Sequence, residues 1–117
     1  MPSYQERQEI HDEIGRINNE LDQIRGEIDQ IRDQINTNWQ NLKELREAQR
    51  YHEKEARKRY MRHVGYQGGH VDQSIYRIQS ENDRLKARKD HLFQRKNELH
   101  ARKQELYARL GADRARA

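Results

Sequence analysis

The 117-residue sequence contains no cysteine and one proline, and its six glycines leave little material for turns. Without cysteine, disulfides and thiolate metal sites are excluded. Only 32% of the residues are hydrophobic and 38% are charged, so a compact globular core is not expected. No stretch approaches the roughly 18–20 apolar residues of a membrane span, and residues 1–7 lack the apolar core of a signal peptide. We therefore expect one soluble, cytoplasmic domain with no membrane partner.

The sequence does contain a strict apolar periodicity. Isoleucine or leucine recurs at alternating spacings of four and three residues, at Ile10, Ile14, Ile17, Leu21, Ile24, Ile28, Ile31, Ile35, Leu42 and Leu45. The mean spacing of 3.5 residues is the coiled-coil repeat, and Asn38 is its one polar interruption. The pattern predicts a first coiled-coil helix over residues 4–62, with Ser3 as its N-cap and Glu6 completing a capping box.

A glycine-rich segment separates this helix from a second one. Gly65, Gly68 and Gly69 fall within five residues and predict a turn over 63–71, after which Asp72 or Ser74 can cap the next helix. The second coiled-coil helix is predicted over 72–110, followed by a frayed tail over 111–117. Its stripe reads Val71, Ile75, Ile78, Asn82, Leu85, Lys89, Leu92, Lys96, Leu99, Lys103, Leu106 and Leu110.

Two helices joined by a short turn predict an all-α fold, a long antiparallel coiled-coil helical hairpin. Residues 1–49 carry a net charge of −5 and residues 78–117 a net charge of +5, which favours their pairing. A turn centred on Gln67 makes paired residue numbers sum to 134. That register pairs Leu92 with Leu42, Leu99 with Ile35, Leu106 with Ile28, Leu110 with Ile24, Asn82 with His52 and Lys96 with Asn38, and Trp39 then covers the last of these layers. A long continuous or parallel helical oligomer is the alternative.

The predicted register leaves the start of the first stripe without a partner in the chain. Ile10, Ile14, Ile17 and Leu21 would form an exposed apolar overhang within residues 8–24, which is typical of an association site. The segment is self-complementary in antiparallel orientation. We therefore expect the chain to self-associate here, as a dimer or as a higher homo-oligomer.

The candidate binding surface lies around the turn, where residues 50–77 carry a net charge of +4 and several tyrosines. Basic residues neutralise phosphates or acidic side chains, and tyrosine rings can stack on unpaired bases. A partner protein is the first expectation for this tip, and RNA or the ribosome is the alternative. A solvated helix end without a partner is the simplest interpretation. The candidate residues are Arg50, Lys54, Arg57, Lys58, Arg59, Tyr60, Arg62, Tyr66 and Arg77.

The sequence offers no pattern of catalytic, cofactor-binding or metal-binding residues. His63 and His70 flank the turn, but no carboxylate accompanies them at a metal-site spacing. We expect no enzyme activity, no cofactor, no metal and no small-molecule substrate. The expected architecture resembles helical-hairpin modules such as prefoldin β subunits, seryl-tRNA synthetase arms and transcript-cleavage-factor arms. Residues 63–72 are too short and too glycine-rich for the strand pair of a prefoldin β subunit. Transcript-cleavage-factor arms carry acidic residues at the tip, whereas this tip has one acidic residue, Asp72, among basic ones.

Overall fold

The computed structural model describes residues 3–58 and 63–116, and it describes the side chains of this part up to Gly111. Helix α1 spans Tyr4–Ala56 and helix α2 spans Gly69–Arg116. No strand occurs among the described residues. The all-α expectation of two long helices joined in a helical hairpin is confirmed.

Helix α1 begins where a capping residue precedes the apolar stripe. The Glu6 backbone N–H donates to the Ser3 hydroxyl at 3.1 Å, and the Arg7 N–H donates to the Ser3 carbonyl at 3.0 Å. The side chain therefore satisfies a backbone donor that the first turn leaves free. The helix ends at Ala56, whereas the sequence pattern extended it to residue 62. Past Leu45 the stripe loses its apolar character, so the last turns have little apolar surface to bury.

Helix α2 begins and ends outside its predicted bounds of 72 and 110. The Asp72 N–H donates to the Gly68 carbonyl at 3.0 Å, so helical hydrogen bonding starts ahead of both predicted capping residues. Asp72 then lies inside the helix, and the Ser74 hydroxyl donates to the His70 carbonyl at 3.0 Å instead of capping. At the other end the helix continues through Gly111 to Arg116.

The chain divides into two compact units, and each helix contributes to both. The terminal unit comprises Met1–Asp29 and Lys89–Ala117, and the turn unit comprises Gln30–Arg88. The buried apolar residues of the terminal unit are Ile10, Ile14, Ile17, Leu21, Ile24, Ile28, Leu92, Leu99 and Leu106. In the turn unit Leu42, Val71 and Ile75 form a buried cluster, against which Leu45, Ala48 and Ile78 pack.

The helix segments are antiparallel within each unit, but the predicted register is wrong. Asn82 contacts Asn38 and not His52, so these paired residue numbers sum to 120, two heptads away from 134. The reason lies in the helix ends: α1 ends at Ala56 and α2 begins at Gly69, so the segment between the helices is not centred on Gln67. Apolar stripes with a seven-residue repeat match equally well after a shift of whole heptads, so the stripes could not reveal the error.

In the observed register the predicted apolar overhang is absent. Ile10, Ile14, Ile17 and Leu21 are 8%, 6%, 5% and 7% exposed in the single chain. Leu106, predicted opposite Ile28, is fully buried in the same unit. Because the single chain already covers these four residues, they form no exposed stripe that would require a second copy.

Candidate partner-binding site at the turn

Three hydrogen-bonded side chains tie the turn to both helices. The Tyr66 hydroxyl donates to Oδ1 of Asp72 at 2.9 Å, and Nε2 of Gln49 donates to the same oxygen at 2.7 Å. Gln49 belongs to α1, Tyr66 to the turn and Asp72 to α2, so one carboxylate links three segments. Partial removal of Tyr66 from solvent, followed by its hydrogen bond to the Asp72 carboxylate, raises the pKa of Tyr66 above its ordinary value.

Two glycines allow the turn to place the Tyr66 ring. Gly65 has a φ of 77°, in the left-handed region that a side chain disfavours. Gly68 is buried beneath Tyr66, and a Cβ atom at Gly68 would overlap the tyrosine ring. The Gln67 side chain completes the turn by donating to the Val64 carbonyl at 3.1 Å. Gly65 therefore allows the backbone conformation of the turn, and Gly68 leaves space for the Tyr66 ring.

His52, which is partly buried, is the centre of a small group of rings. Its ring centroid lies 5.5 Å from that of Tyr51, 6.4 Å from that of Tyr66 and 5.8 Å from that of His70. All three pairs meet edge to face, which is a favourable arrangement for aromatic rings. The group joins the last turns of α1 to the turn and to the start of α2, so the rings hold the turn against the helices.

The pocket beside these rings is small. It has a volume of about 190 Å³ and is lined by Tyr51, His52, Glu55, Ala56, Gly65 and Gln67. Pockets for small-molecule ligands usually occupy about 300–1,000 Å³. Among residues 3–58 and 63–111, no group of three histidine, cysteine or carboxylate side chains is placed to hold a metal ion. The region is therefore described better as a surface than as a cavity.

The turn unit exposes large side chains with apolar bodies. Tyr51 is 60% exposed, Tyr66 40% and Tyr76 73%, and Val64 is 44% exposed. The apolar stripe of the same unit is buried or partly buried, at Leu42, Val71 and Ile75 among others. Exposed tyrosines supply contact area together with a polar hydroxyl, which is why they are enriched at interfaces.

Apart from Tyr66, the predicted binding residues differ in what the structure shows of them. Arg50, Lys54 and Arg57 are exposed. Arg50 and Lys54 lie on one face of the last turns of α1, and Arg57 directly follows the end of the helix, where its N–H donates to the Glu53 carbonyl at 3.3 Å. Lys58 contacts the Glu55 carboxylate at 2.6 Å, and Arg77 is exposed on α2. Arg59, Tyr60 and Arg62 lie outside the described residues.

A buried polar layer crosses the turn unit. Nδ2 of Asn38 donates to Oδ1 of Asn82 at 2.8 Å, and Oδ1 of Asn38 accepts from Gln34 at 3.0 Å. Both asparagines are 3% exposed, and Nδ2 of Asn82 is buried without a hydrogen-bond partner. The predicted register paired Lys96 with Asn38 and expected Trp39 to cover that pair. In the structure the ammonium of Lys86 lies over the Trp39 ring instead, with Nζ 5.3 Å from the ring centroid.

The terminal unit carries paired charges between its helix segments. Arg95 donates to both carboxylate oxygens of Glu20 at 2.9 and 3.3 Å, and Arg102 does the same to Glu13 at 3.0 and 3.3 Å. These contacts line a groove of about 450 Å³. The hydrogen bond that Arg102 donates lowers the pKa of Glu13. The hydrogen bonds that Arg95 donates to Glu20 and Arg102 donates to Glu13 raise the pKa values of the two guanidinium groups.

Two sets of these residues were missed in the sequence. The Glu–Arg pairs had a signal, because glutamate recurs every seven residues from Glu6 to Glu27 and arginine every seven from Arg88 to Arg109. Gln49 and Asp72 had none, since nothing in the sequence shows that a tyrosine from the turn will reach a carboxylate inside the next helix.

The chain was compared with protein-family models, with curated proteins and with solved structures, and none of them matches it. Within the part of the chain that the structure describes, no helix is long and apolar enough to cross a membrane.

Proposed function

We propose that the protein is a non-enzymatic interaction module, an antiparallel coiled-coil hairpin whose turn presents a basic, tyrosine-bearing surface to a partner protein. The coiled-coil part is supported by contacts at heptad spacing. Glu13 and Glu20 are seven residues apart, and so are their partners Arg102 and Arg95. Such pairs flanking an apolar seam are the usual arrangement in coiled coils.

The observation that carries the proposal is the distribution of exposed aromatic rings in the turn unit. Tyr51, Tyr66 and Tyr76 remain exposed while the apolar stripe of the unit is covered by the chain itself. Tyr66 is also held in place by Asp72 and the ring of His52. A ring fixed before binding loses little freedom when a partner packs on it, and this lowers the cost of association.

Charge indicates the chemistry of the partner. Arg50 and Lys54 lie on one face of α1 beside Tyr51, Arg57 directly follows the end of the helix, and the segment 50–77 has a net charge of +4. Opposite charge across an interface steers association and disfavours wrong partners. The proposed partner is therefore a protein surface with exposed carboxylates around an apolar or aromatic contact.

Affinity capture with charge-reversed variants tests the proposal. The bait is the wild-type chain in nuclease-treated lysate of its source organism, against Arg50→Glu/Lys54→Glu/Arg77→Glu. The matched control is Arg25→Glu/Lys43→Glu/Arg84→Glu, which reverses three exposed charges elsewhere on the chain. We expect a captured protein whose yield falls about tenfold or more with the first variant and is retained with the control. Equal loss in both variants, or in neither, would contradict a binding site at the turn.

A second candidate function is binding of single-stranded RNA. It is favoured by one observation, the position of the exposed Tyr51 ring next to the exposed Arg50 and Lys54. Basic residues beside an exposed ring form a stacking platform for bases. Fluorescence anisotropy with a labelled single-stranded RNA tests it, and binding at ~50 mM salt should weaken steeply as salt rises. No binding at that low salt would exclude this candidate.

A further inference from the structure

The charged residues that pair between the helices belong to series that recur every seven residues in the sequence. Arginine occurs at 88, 95, 102, 109 and 116 in α2, and glutamate at 6, 13, 20 and 27 in α1. A slip of one helix by seven residues would give most of these glutamates another arginine. The leucines of α2 would likewise meet another residue of the α1 stripe, because that stripe has the same period. Charge and apolar burial therefore distinguish poorly between registers one heptad apart.

Two polar contacts of the turn unit do not repeat in this way. Asn38 and Asn82 are the polar members of their stripes that meet in the buried layer. A slip of one heptad would place Asn82 opposite Leu45 or Ile31, and its carboxamide would lose the hydrogen bond that it accepts from Asn38. Gln49 and Asp72 are on different helices, so the same slip would separate them along the helix axis by about 10 Å.

We propose that the Asn38–Asn82 and Gln49–Asp72 contacts together select the register of the hairpin from alternatives one heptad apart. A buried amide without a partner is costly, so the asparagine pair disfavours each slipped register. The unpartnered Nδ2 of Asn82 fits this role, since the layer is only partly satisfied and adds specificity in place of stability. The Asp72 contact ties the register to the turn, because a slip would remove Tyr66 from its carboxylate.

Dipolar electron paramagnetic resonance between two spin labels tests this proposal in the full-length chain. The labels are placed at Arg46→Cys and Gln79→Cys, which are both exposed and lie one heptad from the Trp39–Lys86 contact. The chain has no cysteine of its own, so labelling is specific. In the observed register the labels face each other, and a one-heptad slip in either direction moves them about 10 Å apart along the axis.

Four backgrounds carry the labels: the wild type, Asn38→Leu/Asn82→Leu, Asp72→Ala, and the combination of the three substitutions. We expect one short distance in the wild type. In the combined variant we expect a second, longer distance in more than about 10% of the molecules, above the usual range of a minor conformer. Lys89→Leu is the control: it adds a leucine to the α2 stripe and keeps both polar contacts, so it should show the short distance alone.

Two results would overturn the proposal. One is a single short distance in the combined variant with helical circular dichroism retained, which would show that other contacts set the register. The other is a long distance that disappears when labelled protein is diluted with unlabelled protein, which would show association between chains. If the combined variant does not fold, the same criteria apply to Asn38→Leu/Asn82→Leu and to Asp72→Ala, each of which should show an increased long component. The measurement needs no partner, so its failure and the failure of the proposed function are distinguishable.

Discussion

Substitution of Ile14 by alanine should destabilise the folded single chain. Ile14 is 6% exposed in the terminal unit. The change removes three methyl or methylene groups, each worth about 0.8 kcal/mol when buried. Their transfer alone amounts to about 2.4 kcal/mol, and the cavity adds to it unless the helices close the gap. Measured costs for replacing isoleucine by alanine in a core are about 2–5 kcal/mol. Two packed helices can relax, so we expect about 2–3 kcal/mol.

The assay is urea unfolding followed by circular dichroism at two protein concentrations that differ widely. The expected result is a lower unfolding midpoint in Ile14→Ala, with the same decrease at both concentrations. Asn19→Ala is the matched control, because Asn19 is exposed in the same helix and its truncation should change stability little. If Ile14 instead served an interface between copies, the decrease would depend on protein concentration. That dependence, or an unchanged midpoint, would refute the assignment of Ile14 to the core of the single chain.

Three further predictions concern polar contacts and the turn. Asn38→Ala leaves the Asn82 carboxamide buried without a partner and should cost about 1–3 kcal/mol in chemical unfolding, whereas Asn38→Leu/Asn82→Leu should be neutral or stabilising. Gly68→Ala should lower the free energy of unfolding by about 1–3 kcal/mol, because the added Cβ overlaps the Tyr66 ring. The loss should be smaller in a Tyr66→Ala background, and equal losses in both backgrounds would refute the overlap. The lowered pKa of Glu13 stabilises the folded chain above the ordinary value of 4.5, and this contribution is lost as the pH falls through the lowered value. Glu13→Gln should therefore lose less stability than the wild type in acid unfolding titrations.

The fold class could be predicted from the sequence because it depends on local information. The spacing of Ile10 to Leu45 indicates a helix with one apolar stripe, and the glycines at 65, 68 and 69 indicate where the chain turns. Both properties belong to short segments of the chain. The helix ends were predicted less well, because capping depends on which residues the neighbouring segment brings near. Asp72, for example, binds Tyr66 and Gln49 inside the helix that it was expected to cap.

The register could not be predicted from the apolar stripe, because apolar residues that repeat every seven positions still face each other after a shift of seven. The two asparagines do indicate the register, because matching Asn38 in the first stripe with Asn82 in the second gives the observed pairing. A turn centred on Gln67 requires a connection that is symmetric about the glycines, and the helix ends at Ala56 and Gly69 are not. The candidate site was predicted in part, because the exposed basic residues depend on composition. The hydrogen bonds from Tyr66 and Gln49 to Asp72 depend on the register, so they could not be predicted.

In the observed register the second helix covers the first isoleucines of its own chain. Cross-linking with a short bis-maleimide tests this register, using Glu20→Cys/Arg95→Cys against Glu20→Cys/Arg109→Cys. Arg95 contacts Glu20, whereas the register predicted from the sequence would place Arg109, two heptads further along α2, beside Glu20. We expect efficient cross-linking within one chain for the 20/95 pair and little for the 20/109 pair. Preferred cross-linking of the 20/109 pair, or cross-links formed only between chains, would contradict this register.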